Sequence, residues 1–555
     1  MAFFRHDGSL RGLLAAACLV LAAGVAPAAE RQVLLVAAID GYADLKSQLS
    51  WFGRQIDNPG LTPMVEALIN LSTQGRGLAG LDLNRPLGIV VTSDGADIAA
   101  HAFVPVNDLD KLLASLQAVT GPVTKEGDRR RATLPSGIRL SITERDGWAA
   151  VAPAGLEAPP VDPTPLLAAV ARDYTLGIEA FPGRMSDGVR RQFEAMVEQG
   201  AADAAAQGQP VDGASIGAFL DSLRQTESLA LGLAIDDSNG TVFLENRSVA
   251  LPGSVSAAAV ATLAQGTLTV GVPPLAAGNK PAIRGHVAQA IPEQARAGFL
   301  TTLDQLLPRE AGDPLTRTIS RVVYDVLSAT LAAGALDAAL AVDTTAATKE
   351  KPLPAFTAGV RVRDGKALEQ QVKKAFGAAG GVLPGVTARF DTGKAGPATL
   401  HTVSFDVADE DLAERIGKSL DFTLAVAPDY AIVLAGGDVA KRAEATLAAS
   451  GRPVADAQPI ADLAVTAAPI LDYVDTVTDE GRVARAAAAA REAGGGLVEM
   501  RVRPVERGVT TRLSLDAAVL KAVAAMTTPE KPVGPGGVPL PEVPRGFPIP
   551  VPSPR

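Results

Sequence analysis

The chain has 555 residues, 47% of them hydrophobic, 20% charged and only 4% aromatic, and its formal net charge is -10. That length exceeds what one core usually serves, the apolar share excludes wholesale disorder, and the acidic balance excludes a protein that coats nucleic acid or anionic lipid by charge alone. The single cysteine, Cys18, lies in a segment expected to be removed, which leaves no disulfide, no thiolate nucleophile and no cysteine metal site.

Residues 1–29 read as a secretory signal. Arg5 and Arg11 open it, Leu13 to Gly24 is an uncharged apolar run, and Ala26-Pro27-Ala28 supplies small residues for cleavage. The run is shorter than the ~20 residues a permanent span needs. Lipidation at Cys18 is disfavoured, because only Leu13 to Ala17 precede it as an apolar core. The longest later uncharged stretch, Ser248 to Asn279, is interrupted by Pro252, Gly253, Gly266, Pro273 and Pro274, and reads as a capped helix and a linker strand. The chain is therefore expected to be exported to the periplasm, cell envelope or exterior, with no transmembrane span in its mature part.

After the signal, one order of elements recurs. Val33 to Ile39 is an apolar strand, helical periodicity follows to Leu71, and strands Leu87–Thr92 and Ile98–Val106 flank a turn at Asp94-Gly95. Asn107 or Asp108 then caps a helix with Leu109, Leu112, Leu113 and Leu116 on one face. From Tyr174 the order repeats. Strand Tyr174–Ala180 leads to helices around Val189–Val197 and Ile216–Leu223, then to strands Leu229–Ile235 and Thr241–Leu251 joined at Asn239-Gly240, and Ser254 caps the last helix. A third copy starts near Ala282 and ends with a helix from Asp364 to Phe376. A shortened fourth runs from Leu463 through the hairpin Leu497–Arg503/Val509–Leu515 to a helix opened by Asp516.

Between the first and second copies, Arg130–Leu134, Ile138–Thr143 and Trp148–Ala152 form a three-stranded meander, followed by a helix Thr164–Ala171. A comparable segment lies between the third and fourth, with an extra helix at Asp409–Leu420 and strands Leu400–Val407, Phe422–Ala427 and Tyr430–Ala435. The expected fold is α+β: two related lobes, 30–275 and 280–527, from an internal duplication, each a mostly antiparallel sheet with helices packed on one face. From 528 to 555 the proline density predicts an extended, mobile tail.

Several short patterns invite chemistry. Gly213-Ala-Ser215-Ile-Gly217 matches a serine nucleophile elbow, but that turn needs a strand before the serine, and a polar loop precedes it here. Ser215 reads instead as a cap or early residue of the following helix. Gly75-Arg76-Gly77-Leu78-Ala79-Gly80 has the letters of a dinucleotide fingerprint in the wrong setting, after a helix and before a strand. Asp236-Asp237-Ser238-Asn239-Gly240 lacks the closing acid of a calcium loop and suits a hairpin turn. The acidic group Asp406, Asp409, Glu410 and Asp411 suits a helix start. His101, His286 and His401 fall in separate strands with no carboxylate at ligand spacing, and read as polar-face or core residues. Arg129-Arg130-Arg131 reads as the solvated start of a strand, with a partner patch as the other reading. Trp51 and Phe52, beside Leu49 and Ile56, read as core.

At Arg85-Pro86-Leu87-Gly88, Phe103-Val-Pro-Val-Asn-Asp-Leu-Asp-Lys-Leu-Leu, Gly147-Trp148-Ala-Ala-Val-Ala-Pro and Asp173-Tyr174-Thr-Leu-Gly-Ile, the chain resembles a family of secreted proteins of unknown function abundant in planctomycete-type bacteria. The resemblance is clearest over 80–200. It implies an exported protein with a shared fold and carries over no catalytic residue.

These readings point first to a non-catalytic exported protein, a binding or structural component of the cell envelope, with no catalytic, cofactor or metal residue assigned. Its expected partners are envelope proteins or an apolar ligand, and not nucleic acid. The second expectation is a carrier of a lipid or other apolar ligand between sheet and helices, and the third a serine hydrolase using Ser215.

Overall fold

The computed structural model describes residues 31–528, apart from positions 135, 333, 346 and 479 and the stretches 157–160, 209–212, 272–280, 308–313, 348–352, 380–384, 408–409, 411–412, 415–416 and 452–458. The expected signal over 1–29 and the tail from 529 onward lie outside the described residues, as does most of the helix expected over Asp409–Leu420.

The first half runs β1 (Gln32–Ile39), α1 (Tyr42–Gln55), α2 (Leu61–Ser72), β2 (Leu87–Ser93), β3 (Ile98–Pro105), α3 (Leu109–Thr120), β4 (Val123–Glu126), β5 (Arg129–Thr133), β6 (Arg139–Arg145), β7 (Trp148–Pro153) and α4 (Pro163–Asp173). It continues with β8 (Leu176–Ala180), α5 (Asp187–Ala206), α6 (Gly213–Arg224), β9 (Thr226–Asp236), β10 (Thr241–Ala250) and α7 (Val255–Leu263). The second half runs β11 (Ile283–Ala290), α8 (Glu293–Leu306), α9 (Pro314–Ala332), β12 (Ala335–Asp343), β13 (Ala355–Arg361), α10 (Gly365–Ala379), β14 (Val386–Ala395), β15 (Ala398–Asp406), β16 (Ser419–Val426), β17 (Tyr430–Ala435) and α11 (Val439–Ala449). It ends with β18 (Ala461–Thr466), α12 (Ala467–Thr478), α13 (Gly481–Glu492), β19 (Leu497–Val505), β20 (Gly508–Asp516) and α14 (Ala517–Thr527).

Local chemistry accounts for many boundaries. The carboxylates of Asp108, Asp162, Asp438 and Asp516 and the hydroxyls of Ser186 and Ser254 accept hydrogen bonds from backbone N–H groups in the first turns of α3, α4, α11, α14, α5 and α7. These groups would otherwise lack a partner. In β9, Leu229, Leu231, Leu233 and Ile235 alternate with small residues, so every leucine faces the same way.

Among the described residues, all 20 strands join one antiparallel sheet. Its order is β4-β5-β6-β7-β3-β2-β1-β8-β9-β10-β20-β19-β18-β11-β12-β13-β17-β16-β15-β14. Counted inward from either edge, corresponding strands of the two halves follow in the same sequence, and β10 meets β20 at the centre from Thr241↔Asp516 to Val249↔Gly508. The expectation of one sheet per lobe is thus corrected. The last strand of each half keeps an unsatisfied edge, and each edge completes the other.

The expectation of helices on one face is corrected as well. Leu167 and Val170 of α4 pack on Val36, Ala38, Val90 and Phe103, while Leu109, Leu112 and Leu113 of α3 pack on Ile142 and Ala149 of the other face. In the second half α11 covers Ile432 and Leu434, and α10 covers Val426 and Ala431. Strands apolar on both sides, such as β1 and β17, need cover on both.

The halves are also tied off the sheet. The Thr269 and Val270 N–H groups donate to the Asp337 carboxylate, as does the Thr269 hydroxyl, and Arg507 bridges Glu227 and the Ala250 carbonyl. The meander has a further strand, β4, and its counterpart a further strand, β14, at the two sheet edges.

Candidate functional site

The structure separates the tempting motifs. Ser215 sits in the first turn of α6, which follows another helix rather than a strand. The Gly75–Gly80 stretch connects α2 to β2, and its three glycines all have positive φ. Asp236 closes the β9–β10 turn, accepting from the Asn239 N–H at 3.0 Å and the Ser238 hydroxyl at 2.7 Å. Trp51 is buried, as expected. Arg129 and Arg131 are exposed, but Arg130 is not the solvated residue expected. It is buried, with Nε donating to Asp110 at 2.8 Å and an ion pair to Glu144 at 3.6 Å. An unpaired guanidinium could not be carried there.

The three histidines do lie in strands. His101 and His401 are buried, and His286 places Nε2 3.3 Å from the Pro459 carbonyl. His401 has carboxylate neighbours that its local sequence did not reveal. Its Nδ1 accepts the Asp391 N–H at 3.2 Å, which puts the proton of the neutral ring on Nε2, 3.5 Å from Glu369 Oε1. Glu369, Asp391 and His401 bring ligand-type atoms within 4.8 Å of one another. Lys373, one turn after Glu369 on α10, ion-pairs with both carboxylates at 2.8 Å. The ammonium supplies the balancing charge that a cation would otherwise provide. Burial pulls the His401 pKa below its ordinary value, against the charge of Glu369. The corresponding region of the first half, between α3 and β4–β5, holds a hollow of about 240 Å³ lined by Asp110, Gln117, Lys125 and Arg130.

The larger feature is apolar. A cavity of about 480 Å³ lies between the sheet and helices α9 and α10. Val323, Val326 and Leu327 of α9 and Leu368 and Val372 of α10 form its roof; Val287, Leu340, Val360, Val433, Leu463 and Met500 form its floor and mouth. The hollow arises from residue size. Gly285, Ala338, Ala358, Gly359 and Ala431 occupy floor strands, and the roof side chains are too short to fill the space above them. A protein with 4% aromatic residues has few large rings to close such a gap.

Strand register places part of this floor in one line. Directly paired residues share a face of the sheet, so Leu463 (β18), Gly285 (β11), Leu340 (β12), Ala358 (β13), Val433 (β17) and Leu424 (β16) form a single row, and the next residue in it is His401 (β15). In the other direction the row continues through Met500 (β19), Leu513 (β20), Leu244 (β10), Leu233 (β9) and Leu176 (β8). From Leu176 to Leu463 its members are 37–47% exposed, so no described element roofs this portion.

The opposite face of the same central strands is ionic. The Tyr174 hydroxyl donates to Glu245 Oε1 at 2.8 Å, and Arg512 Nε donates to Glu245 Oε2 at 2.6 Å across the β10–β20 seam. The Tyr174 ring lies over Gly232 and Gly177, which pair with each other; a Cβ on Gly232 would overlap it. Arg501 and Asp462 stand side by side in the next strands, 3.8 Å apart.

Among the described residues no helix is long and apolar enough to cross a membrane. No protein family matches the chain, and no curated protein matches it.

Proposed function

We propose that the protein is a non-catalytic carrier of an apolar ligand, held between the sheet and helices α9 and α10. The observation that carries this reading is the cavity of about 480 Å³, whose lining is apolar apart from His286 and Asp462. Its volume falls within the ~300–1,000 Å³ usual for small-molecule sites. Transfer of apolar surface from water supplies the affinity, and the described roof residues Val323, Val326, Leu327, Leu368 and Val372 carry no charge to oppose it. The leader read at 1–29 would send the carrier out of the cytoplasm, as the resemblance to secreted proteins also implies. The mirrored strand order supports an origin of the two halves by duplication, with the cavity described in the second.

Two measurements test the reading together. Organic extraction of the purified protein followed by mass spectrometry should recover an apolar molecule, and a fluorescent apolar probe such as 1-aminoanthracene should bind the stripped protein. Leu340→Trp fills the floor and should abolish the probe signal while leaving the fold intact. An empty extract with no probe binding by the stripped protein would refute the carrier.

A further inference from the structure

We infer that the ligand is one long, unbranched acyl chain that lies across the strands, seated in the cavity at one end and on the open row at the other. This rests on the carrier reading and deepens it. Leu463 and Met500 belong both to the cavity lining and to the exposed row, so enclosed and open surfaces are continuous. Beyond Met500 the row is Leu513, Leu244, Leu233 and Leu176, with no polar residue among them.

The shape of this surface selects the occupant. From β18 to β8 the open row crosses five strand spacings, about 24 Å at ~4.8 Å each. On one side the next paired residues are also apolar: Val498, Leu515, Val242 and Ile235. On the other side Asn246 and Thr511 break the band at the seam. Two side-chain rows are about 13 Å wide, so the open strip covers about 300 Å². A stable dimer needs about 800 Å² from each partner, so the strip is too small for a second copy. A single hydrocarbon chain has the right form, being narrow, straight and long. The closed end also fits, since the row stops at the polar group of His401 and Glu369.

The test uses the full chain and an unbranched series of octanoate, laurate and palmitate, with 1-aminoanthracene as a compact probe that reads the cavity alone. Affinity should keep rising from laurate to palmitate, by about twofold to fourfold per methylene as more of the chain leaves water. Leu513→Glu and, separately, Leu244→Gln should weaken palmitate by about tenfold or more without changing the compact probe, because each puts a polar group under the chain only. Both positions are exposed, and unchanged denaturation midpoints check folding.

Compact-probe binding with palmitate no tighter than octanoate, or palmitate indifferent to both substitutions, would overturn the acyl-chain assignment and leave the cavity reading standing. Loss of all probe binding in the wild-type chain would remove both. A wild-type dimer that Leu513→Glu converts to monomer, with palmitate affinity unchanged, would assign the row to contact between copies and overturn the inference.

Discussion

The seam between β10 and β20 can be tested at one carboxylate. Glu245 is buried and has two charge-stabilising partners, Tyr174 from its own half and Arg512 from the other. Arg512→Ala leaves the carboxylate with the phenol alone. Breaking a fully buried ion pair costs about 3–5 kcal/mol, and the half-exposed Arg512 places this one below that range, near 2–3 kcal/mol. Tyr174→Phe removes one hydrogen bond to a charged acceptor and should cost about 1.5–3 kcal/mol. Because both partners act on one carboxylate, the double variant should depart from additivity by more than about 0.5 kcal/mol. Urea unfolding followed by tryptophan fluorescence reads these differences, with Arg145→Ala as the control, since its ion pair with Asp146 is fully on the surface. If Arg512→Ala costs no more than the control, the buried carboxylate is not what couples the halves.

Other expectations follow from single contacts. Gly232→Ala should destabilise more than Gly200→Ala, because its Cβ meets the Tyr174 ring whereas Gly200 faces open space; thermal melts compare the two. Leu167 is fully buried on β1 and β2, and Leu167→Ala should cost about 2–5 kcal/mol in denaturant unfolding. Asp108→Ala removes the α3 cap and should cost about 1 kcal/mol, with Asp108→Ser recovering most of it. His401 has a lowered folded pKa, so below its unfolded value near 6.5 the unfolded chain takes up a proton that the folded chain refuses. Its contribution to stability is full above that pH and is lost as the pH falls through it. His401→Gln should therefore lose less stability than wild type between neutral and mildly acidic pH, and equal slopes for the two would remove His401 as the source.

What could be read in the sequence was local. Strict alternation marked β9, Asn239-Gly240 marked its hairpin, and Asp108, Ser254 and Asp516 marked helix starts, because each signal acts through neighbours in the chain. Strands β4 and β14 gave no such signal: Val-Thr-Lys-Glu and Val-Thr-Ala-Arg-Phe-Asp-Thr-Gly-Lys-Ala are polar because they are the edges of the sheet. The alanine-rich α13 was also missed. Ala486 and Ala490 pack with Ala468 and Ala522, and apart from Val483 the buried residues of the helix are all alanines. The cavity could not be read at all, since its floor exists only once distant strands are set in register, as Gly285 of β11 is against Leu463 of β18, and the open row needs the still more distant pairing of Leu244 with Leu513. The Glu369–Lys373 spacing on α10 was a visible hint, but His401 and Asp391 come to it by tertiary packing.

The central pairing also fixes a schedule for biogenesis. β10 is complete by residue 250, but its partner β20 lies at 508–516, so a nascent first half presents a bare ten-residue edge for nearly half of the time the chain is being synthesised. Such an edge is a template for mispairing, and one nascent first half could pair with another through the same β10 surface. Folding that waits for the whole polypeptide would avoid this hazard, and a truncation ending before β19 should accumulate as strand-paired aggregates.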